Sequence, residues 1–251
     1  MELHHGKGET DDHTWAWIPS HKALITGDFV IWVFPNAGNP QKVQRYPLEW
    51  AATLRKMMSY DAELLLPAHG LPIVGNVRIN RVLKDMADAL EFLVQETLEL
   101  MNQGVPLNEI IHQVKIDEEK LSLPWLLPAY DEPEFVIRNI WRMYGGWWDA
   151  DPASLKPSAT SALAHEVVSL VGGLEVLLKR AESVAAEGDF RLASHLIEFA
   201  ANAAPKDATV HGVRSAIYKE RRRNEKSLMS KGVFAAAMRE SEAIVEQVDD
   251  E

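Results

Sequence analysis

The sequence contains no cysteine among its 251 residues. Disulfide bonds and thiolate metal ligands are therefore excluded, and any bound metal must be held by histidine, aspartate or glutamate. No apolar run reaches the roughly 18 residues that a membrane-spanning helix needs, so we expect no membrane partner. No signal peptide is visible, but a motif begins almost at Met1. The N-terminus need not be complete, and the compartment, cytoplasmic or periplasmic, stays open.

Positive charge is also scarce. Lysine and arginine number 26 against 37 aspartates and glutamates, which gives a net charge of −11. A nucleic-acid footprint would need a basic stripe. The only basic run, residues 219–223, is interrupted by Glu220 and followed by Glu225, and it is typical of a solvated helix face. We therefore expect no nucleic-acid partner.

The first 76 residues carry short strand patterns around one helix. The composition predicts strands at residues 14–19, 23–33 and 63–66, with a tight turn at 20–22 between the first two. It also predicts a loop at 34–46 and a helix at 47–59. The first two strands should pair in antiparallel fashion. This order of elements predicts an α/β layer.

From Asn76 onward the apolar residues follow helical spacing. We expect a long helix over 77–103, two short helical pieces in 106–121 and a helix from Pro133 to Tyr144. Four more helices are predicted in 160–247, with breaks near Gly188, Ala204–Pro205 and Ser230–Gly232. The predicted domains are accordingly an α/β layer at residues 1–76 and an all-helical module at residues 77–251.

Three short motifs carry candidate metal ligands at strand ends: Glu9 in Gly-Glu-Thr, Asp28 in Thr-Gly-Asp and His69 in Pro-Ala-His-Gly. Antiparallel pairing brings the start of the first predicted strand near the end of the second, so Glu9 and Asp28 should meet at one sheet edge. His69 ends a third strand and can arrive there too. Two carboxylates and an imidazole suit zinc, manganese or iron.

Each of these residues also has a plainer interpretation. Glu9 and Asp28 are common in turns, and His69 follows a proline in a way that suits a surface histidine. His13 is a candidate for orienting a metal ligand rather than binding metal itself. His4 and His5, which precede the first motif, are interpreted as incidental.

The order of these motifs resembles the latter half of a metallo-β-lactamase fold, and more narrowly its alkyl sulfatase branch. In that branch a glutamate stands where Glu9 does, a carboxylate bridges the metals as Asp28 would, and the last zinc histidine matches His69. Residues 136–153, with Tyr144, Gly145–Trp148 and Asp149, resemble the signature of the alkyl sulfatase dimerisation domain. The resemblance implies a partial αββα layer followed by an all-α module that forms a homodimer.

The resemblance also implies a zinc-dependent hydrolase of alkyl sulfate esters, with two zinc ions in the intact family. The His-x-His-x-Asp-His segment that supplies the other ligands has no counterpart in this sequence, so the chain is interpreted as truncated and expected to hold one zinc ion or none. Two alternatives remain open. One is an inactive fragment that serves dimerisation or interaction, and the other is a hydrolase of another ester class.

The loop of residues 35–45 contains the candidate substrate-binding residues. Arg45 matches, by its position relative to Trp50, an arginine near the sulfate in the family, and its planar fork of donors suits a sulfate group. Asn36, Asn39 and Lys42 are the further candidates, and a solvated loop with Arg45 paired to an acid is the alternative. Tyr144, Trp147 and Trp148 could line an alkyl channel or join the helices to the sheet.

Overall fold

The structure, a computed structural model, describes residues 1–249 and divides into two compact units. Met1–Leu155 forms the first unit, and the second begins at Lys156. The predicted fold class, an α/β layer followed by an all-helical module, is confirmed by a mixed sheet followed by helices. A long helix begins at Asn76, near the predicted domain boundary, whereas the two compact units separate later, after Leu155.

The first unit is built on a five-stranded sheet in the order β1-β2-β3-β4-β5. The β3–β4 pair is parallel, and the other three neighbouring pairs are antiparallel. The parallel pair is joined through a helix, as parallel strands require. The strands are Glu2–His5, Thr14–Ile18, Ala23–Gly27, Leu64–Pro67 and Ile73–Val74.

The predicted hairpin is confirmed, because β2 and β3 pair through Ala16 and Ile25 around a short 3₁₀ turn. The second strand, however, ends at Gly27 rather than at residue 33. Gly27 has a φ of 55°, and the amide of Val30 bonds back to its carbonyl, so the chain turns there. A turn at this point carries the apolar residues that follow into the core instead of along the sheet.

Two strands were not predicted. The first, β1, has one apolar residue, the exposed Leu3, among three polar or charged ones, so it lacks the alternation by which strands are found. The second, β5, has only two residues. Both lie at the edges of the sheet, where few side chains are buried.

Helices of the first unit share a hydrophobic core with the sheet. Pro47 occupies the first turn of α1, where its missing N–H costs nothing, and α1 packs against the long helix α2. Large side chains of the strands, of α1 and of α2 form one core around Trp15, Phe29, Trp50, Leu65 and Leu83. The helices of this unit are α1 Pro47–Met58, α2 Asn76–Asn102, α3 Leu107–Gln113, α4 Glu118–Leu121, α5 Pro133–Gly145 and α6 Pro152–Leu155.

The second unit consists, in its described residues, of five helices around a separate core. The predicted breaks near Gly188 and Ala204–Pro205 are confirmed, and Asp189 and Asp207 cap the helices that follow. The break predicted near Ser230–Gly232 lies a few residues earlier, between Asn224 and Leu228, so Ser230–Gly232 fall inside the last helix. A break at Gly172 and Gly173, both with positive φ, was missed. The helices are α7 Thr160–Leu170, α8 Leu174–Ala186, α9 Phe190–Ala203, α10 Ala208–Asn224 and α11 Leu228–Asp249.

Over residues 1–249, no single helix has the length and apolar composition to cross a bilayer. Only α7 and α8 together meet those criteria, and they meet at a bend of 91°.

Candidate functional site

The parallel pairing of β3 and β4 brings two predicted ligands to one edge of the sheet. Gly27 lies opposite Pro67, so the residues that follow both strands leave the sheet side by side. The amide of Ala68 donates to the carbonyl of Gly27 at 3.2 Å and holds the two loops together. As a result, Nε2 of His69 lies 3.4 Å from Oδ1 of Asp28.

Glu9 reaches the same region from the loop between β1 and β2. Its carboxylate accepts a hydrogen bond from the side-chain amide of Asn36, and Nη2 of Arg45 lies 3.7 Å from its Oε2. Arg45 also donates to the backbone carbonyl of Glu9. Burial raises the pKa of Glu9, while the Asn36 hydrogen bond and the Arg45 charge oppose that effect. Glu9 is thus held firmly at one place in the loop.

A cavity of about 450 Å³ opens where these residues meet. All seven residues that the sequence predicted as metal or substrate ligands contribute to its wall. Ile31, Val33 and Tyr130 complete it, so apolar surface lies beside the polar groups. The lining residues are Glu9, Asp28, Ile31, Val33, Asn36, Asn39, Lys42, Arg45, His69 and Tyr130.

The donor set fits part of a metal centre rather than a whole one. Within residues 1–249, no three histidine, aspartate or glutamate side chains are grouped closely enough to hold one metal ion. Glu9 shares the cavity with Asp28 and His69, but its carboxylate is engaged by Asn36 and Arg45. Oδ1 of Asp28, however, is buried without a hydrogen-bond partner in the described chain. A buried carboxylate oxygen of this kind, next to an imidazole, is suited to a cation.

His13 lies beneath this edge of the sheet. Its ring stacks on Phe29 with a centroid distance of 4.0 Å, and its Nδ1 is buried without a hydrogen-bond partner in the described part of the chain. Burial lowers the pKa of His13, and the nearby Asp28 opposes that effect. His13 is not among the residues that line the cavity, and its role in orienting a ligand stays a prediction. His4 and His5 lie on β1 and also stay outside it.

The loop after β3 presents the predicted substrate-binding residues. Asn36, Asn39 and Arg45 are buried, whereas Lys42 is exposed. Nδ2 of Asn39 donates to Oδ1 of Asn36 at 3.3 Å, and Nε of Arg45 is buried with no hydrogen-bond partner among the described residues. Arg45 is paired to an acid, as the plainer interpretation had it, but that acid is Glu9 within the same cavity.

Tyr144, near the end of α5, and Trp147 and Trp148, just after it, do not line the cavity. Trp147 is 73% exposed. Nε1 of Trp148 donates to the carbonyl of Asp151 at 2.7 Å, and Nε1 of Trp141 donates to the carbonyl of Trp148 at 2.8 Å. These bonds fold the segment into a compact turn, so no alkyl channel is formed by these residues at the cavity.

Two buried polar residues near the cavity were missed from the sequence. Asp131 accepts hydrogen bonds from the amides of Gly38 and Asn39 at 2.6 and 3.1 Å, and burial raises its pKa to about 7. Asn139, on α5, bonds to both backbone groups of Arg45. A polar residue among the apolar positions of α5 is the signal that could have revealed Asn139. Asp131 carried no such signal, because it lies in an irregular segment.

Known proteins share this arrangement of sheet and helices. Residues 106–243 match the alkyl sulfatase dimerisation family. A linear primary-alkylsulfatase of Pseudomonas is 27% identical over 203 residues, which is 80% of this chain and 38% of that protein. An (R)-specific secondary-alkylsulfatase of Pseudomonas is 29% identical over 202 residues, or 76% of this chain and 30% of that protein. The solved structure of the stereoselective inverting sec-alkylsulfatase Pisa1 from Pseudomonas has a TM-score of 0.85 at 24% identity, covering 94% of this chain and 38% of that one.

The fold is therefore the one seen in part of a sec-alkylsulfatase structure, a mixed sheet followed by a helical module. The chain belongs to the alkyl sulfatase dimerisation family, and the predicted kinship with alkyl sulfatases is confirmed. The chain spans between 30% and 38% of the length of the three proteins described above.

Proposed function

We propose that this chain contributes to a zinc-dependent hydrolase of alkyl sulfate esters. The observation that carries the proposal is one cavity that contains a carboxylate–imidazole pair, a buried arginine and two buried amides. The relatives named alkylsulfatases support it. Carboxylates and imidazole attract a cation, while guanidinium and amide donors suit the oxygen atoms of a sulfate ester.

In this proposal Asp28 and His69 hold zinc, and Glu9 completes their side of the centre. Zinc, when bound, lowers the pKa of a coordinated water towards neutrality. Arg45 binds the sulfate through its guanidinium, whose Nε has no partner in the described chain. Asn36 keeps Glu9 in position and, with Asn39 and Lys42, supplies further donors. His13 stabilises the end of β3, from which Asp28 projects.

The first experiment measures zinc binding and sulfate release from dodecyl sulfate with and without added zinc. Asp28→Ala should weaken zinc binding at least about tenfold and abolish zinc-dependent release, since it removes a ligand. Asp11→Ala is the matched control, because Asp11 is exposed in the loop of Glu9 and does not line the cavity. Equal zinc affinity and equal rates in the wild type and Asp28→Ala would contradict the proposal.

A second candidate function is an interaction protein without catalysis, whose helical module pairs with another copy. It is favoured by the lack of a three-ligand group within residues 1–249 and by the absence of a His-x-His-x-Asp-His segment in the printed sequence. Metal analysis that finds little zinc, together with a dimer in light scattering, would support it. A monomer that carries stoichiometric zinc would exclude it.

A further inference from the structure

Helix α5 and the residues just before it contact, at three points, the loop that supplies the candidate anion-binding residues. The loop runs over residues 36–45 and is followed by α1, whereas α5 lies about ninety residues later in the chain. Both belong to the first compact unit. The contacts involve backbone groups of the loop, so they fix its path rather than a single side chain.

The first contact is a set of hydrogen bonds to the carboxylate of Asp131, just before α5. Oδ2 of Asp131 accepts from the amides of Gly38 at 2.6 Å and Asn39 at 3.1 Å, and its Oδ1 accepts from the amide of Glu132 at 2.7 Å. Asp131 is fully buried. Its two loop bonds orient the peptide groups that directly follow Asn36.

The second contact is a close approach of backbones. A Cβ atom added to Gly38 would lie 2.4 Å from the backbone of Phe135 and Val136. Only glycine therefore lets the loop lie against the first turn of α5. This approach keeps Gly38 within reach of Asp131.

The third contact pairs Asn139 with Arg45. Oδ1 of Asn139 accepts from the amide of Arg45 at 3.1 Å, and its Nδ2 donates to the carbonyl of Arg45 at 2.9 Å. The side-chain amide thus pairs with the Arg45 backbone as a neighbouring strand would. Gln44 adds a bond from its Nε2 to Oδ1 of Asn139 at 3.0 Å.

We propose that Asp131 and Asn139 are positioning residues, which hold the loop against α5 so that Asn39 and Arg45 face the cavity. The inference rests on the proposed function for the meaning of the cavity, since it assigns these two residues to anion binding. It also gives part of the region matched by the alkyl sulfatase dimerisation family a role at the site. Neither residue touches the ligand in this proposal.

The test combines an affinity and a local probe. Inorganic sulfate is titrated into the whole chain by calorimetry, and amide hydrogen exchange is followed at Gly38, Asn39 and Arg45. In Asn139→Ala the Arg45 amide should lose its protection and sulfate affinity should fall about tenfold or more, because a buried hydrogen-bonded pair is broken. Asp131→Ala should do the same at Gly38 and Asn39.

Conservative variants separate positioning from general instability. Asp131→Asn keeps an oxygen for the two loop amides and should recover protection and most of the affinity. Asn139→Gln keeps both the acceptor for the Arg45 amide and the donor for its carbonyl, and it should recover part of that protection even if Asn139→Ala fails to fold. Arg138→Ala, on the exposed side of α5, is the control and should change neither measurement.

The result that overturns the inference is unchanged protection of the three loop amides in the alanine variants. If an alanine variant loses protection equally across the loop and all of α5, it has unfolded and the conservative variant of that residue decides; a folded conservative variant whose loop amides are no better protected would also overturn the inference. If the wild type binds no sulfate in calorimetry, the proposed function is contradicted. The hydrogen-exchange data then decide by themselves whether Asp131 and Asn139 hold the loop. The two failures are therefore distinguishable.

Discussion

At the residue scale, both the backbone and the guanidinium of Arg45 are held by other residues of the chain in the absence of a ligand. Its backbone pairs with Asn139, and its guanidinium contacts both the carbonyl and the carboxylate of Glu9. A lysine keeps the charge but has a compact ammonium group that cannot reproduce the fork. The shape of the guanidinium, rather than the charge alone, should therefore determine anion affinity.

We expect Arg45→Lys to weaken inorganic sulfate binding on the order of tenfold. The dissociation constant is measured by calorimetry at fixed ionic strength. Arg55→Lys is the control, because Arg55 pairs with Asp88 and Glu91 outside the cavity. Wild-type affinity in Arg45→Lys would mean that the guanidinium does not bind the anion.

Asp131 makes a separate prediction about pH. Burial raises its pKa to about 7, whereas an aspartate in an unfolded chain titrates near pH 4. The native state therefore binds the proton more tightly, and the stability that this proton gives is complete below about pH 4. It is lost as the pH rises through about 7.

Asp131→Asn cannot titrate, so the free energy of unfolding of the wild type should fall relative to this variant between pH 4 and 8. The change should be on the order of 4 kcal/mol. Urea denaturation followed by tryptophan fluorescence measures it, since all 8 tryptophans lie within residues 15–148, in the first unit. A difference between the two proteins that does not vary with pH would contradict the raised pKa.

The sequence was informative about the residues that line the cavity, but it did not reveal Asp131 and Asn139, which support the loop. Glu9, Asp28 and His69 stand in short motifs at strand ends, and these motifs are local in the chain. Asp131 and Asn139 matter only because α5 lies against the loop, which is a contact between distant segments. Such contacts leave little trace in a single sequence, and for this reason the support of the loop was found only in the structure.

At the element scale, local rules worked where an element carries its own signal. Pro47 begins α1, and Asp189 and Asp207 precede α9 and α10 with side chains that cap their first turns. The edge strand β1 was missed because its polar residues are held by pairing with β2. The end of β3 was placed too late because apolar residues continue past Gly27 into a buried turn.

Gly38 gives the sharpest prediction at this scale. A methyl group there would collide with the backbone of α5, which cannot move away as a flexible side chain could. Gly38→Ala should destabilise the first unit by about 1 to 3 kcal/mol and weaken sulfate binding. Urea denaturation monitored by tryptophan fluorescence gives the stability.

The control for Gly38→Ala is Gly145→Ala. Gly145 ends α5, and the nearest atom to an added Cβ is the terminal methyl of Met101, 2.9 Å away on a flexible side chain. This variant should be neutral or more stable by up to about 1 kcal/mol. If both glycine variants behaved alike, the close approach of the loop to α5 would not be a determinant of stability.

At the scale of the whole molecule, the family match leads to the expectation of a homodimer through the helical module. Within the second unit, α7 exposes an apolar stripe at helical spacing that includes Leu163 at 48% exposure and Leu170 at 77%. Val167 lies between them on the same face. Exposed apolar side chains grouped on one helix face are typical of an interaction site.

We expect the wild type to be a dimer in light scattering and the double variant Leu163→Glu with Leu170→Glu to be largely monomeric, because the charges cannot be buried in an apolar contact. Leu71→Glu is the matched control, since Leu71 is also 77% exposed but belongs to the first unit. Circular dichroism checks that the double variant keeps its helices. A double variant that stays dimeric and folded would show that copies of this chain meet through another face. A monomeric wild type would contradict the expected homodimer, but it would not affect the proposal about the cavity and its ligands.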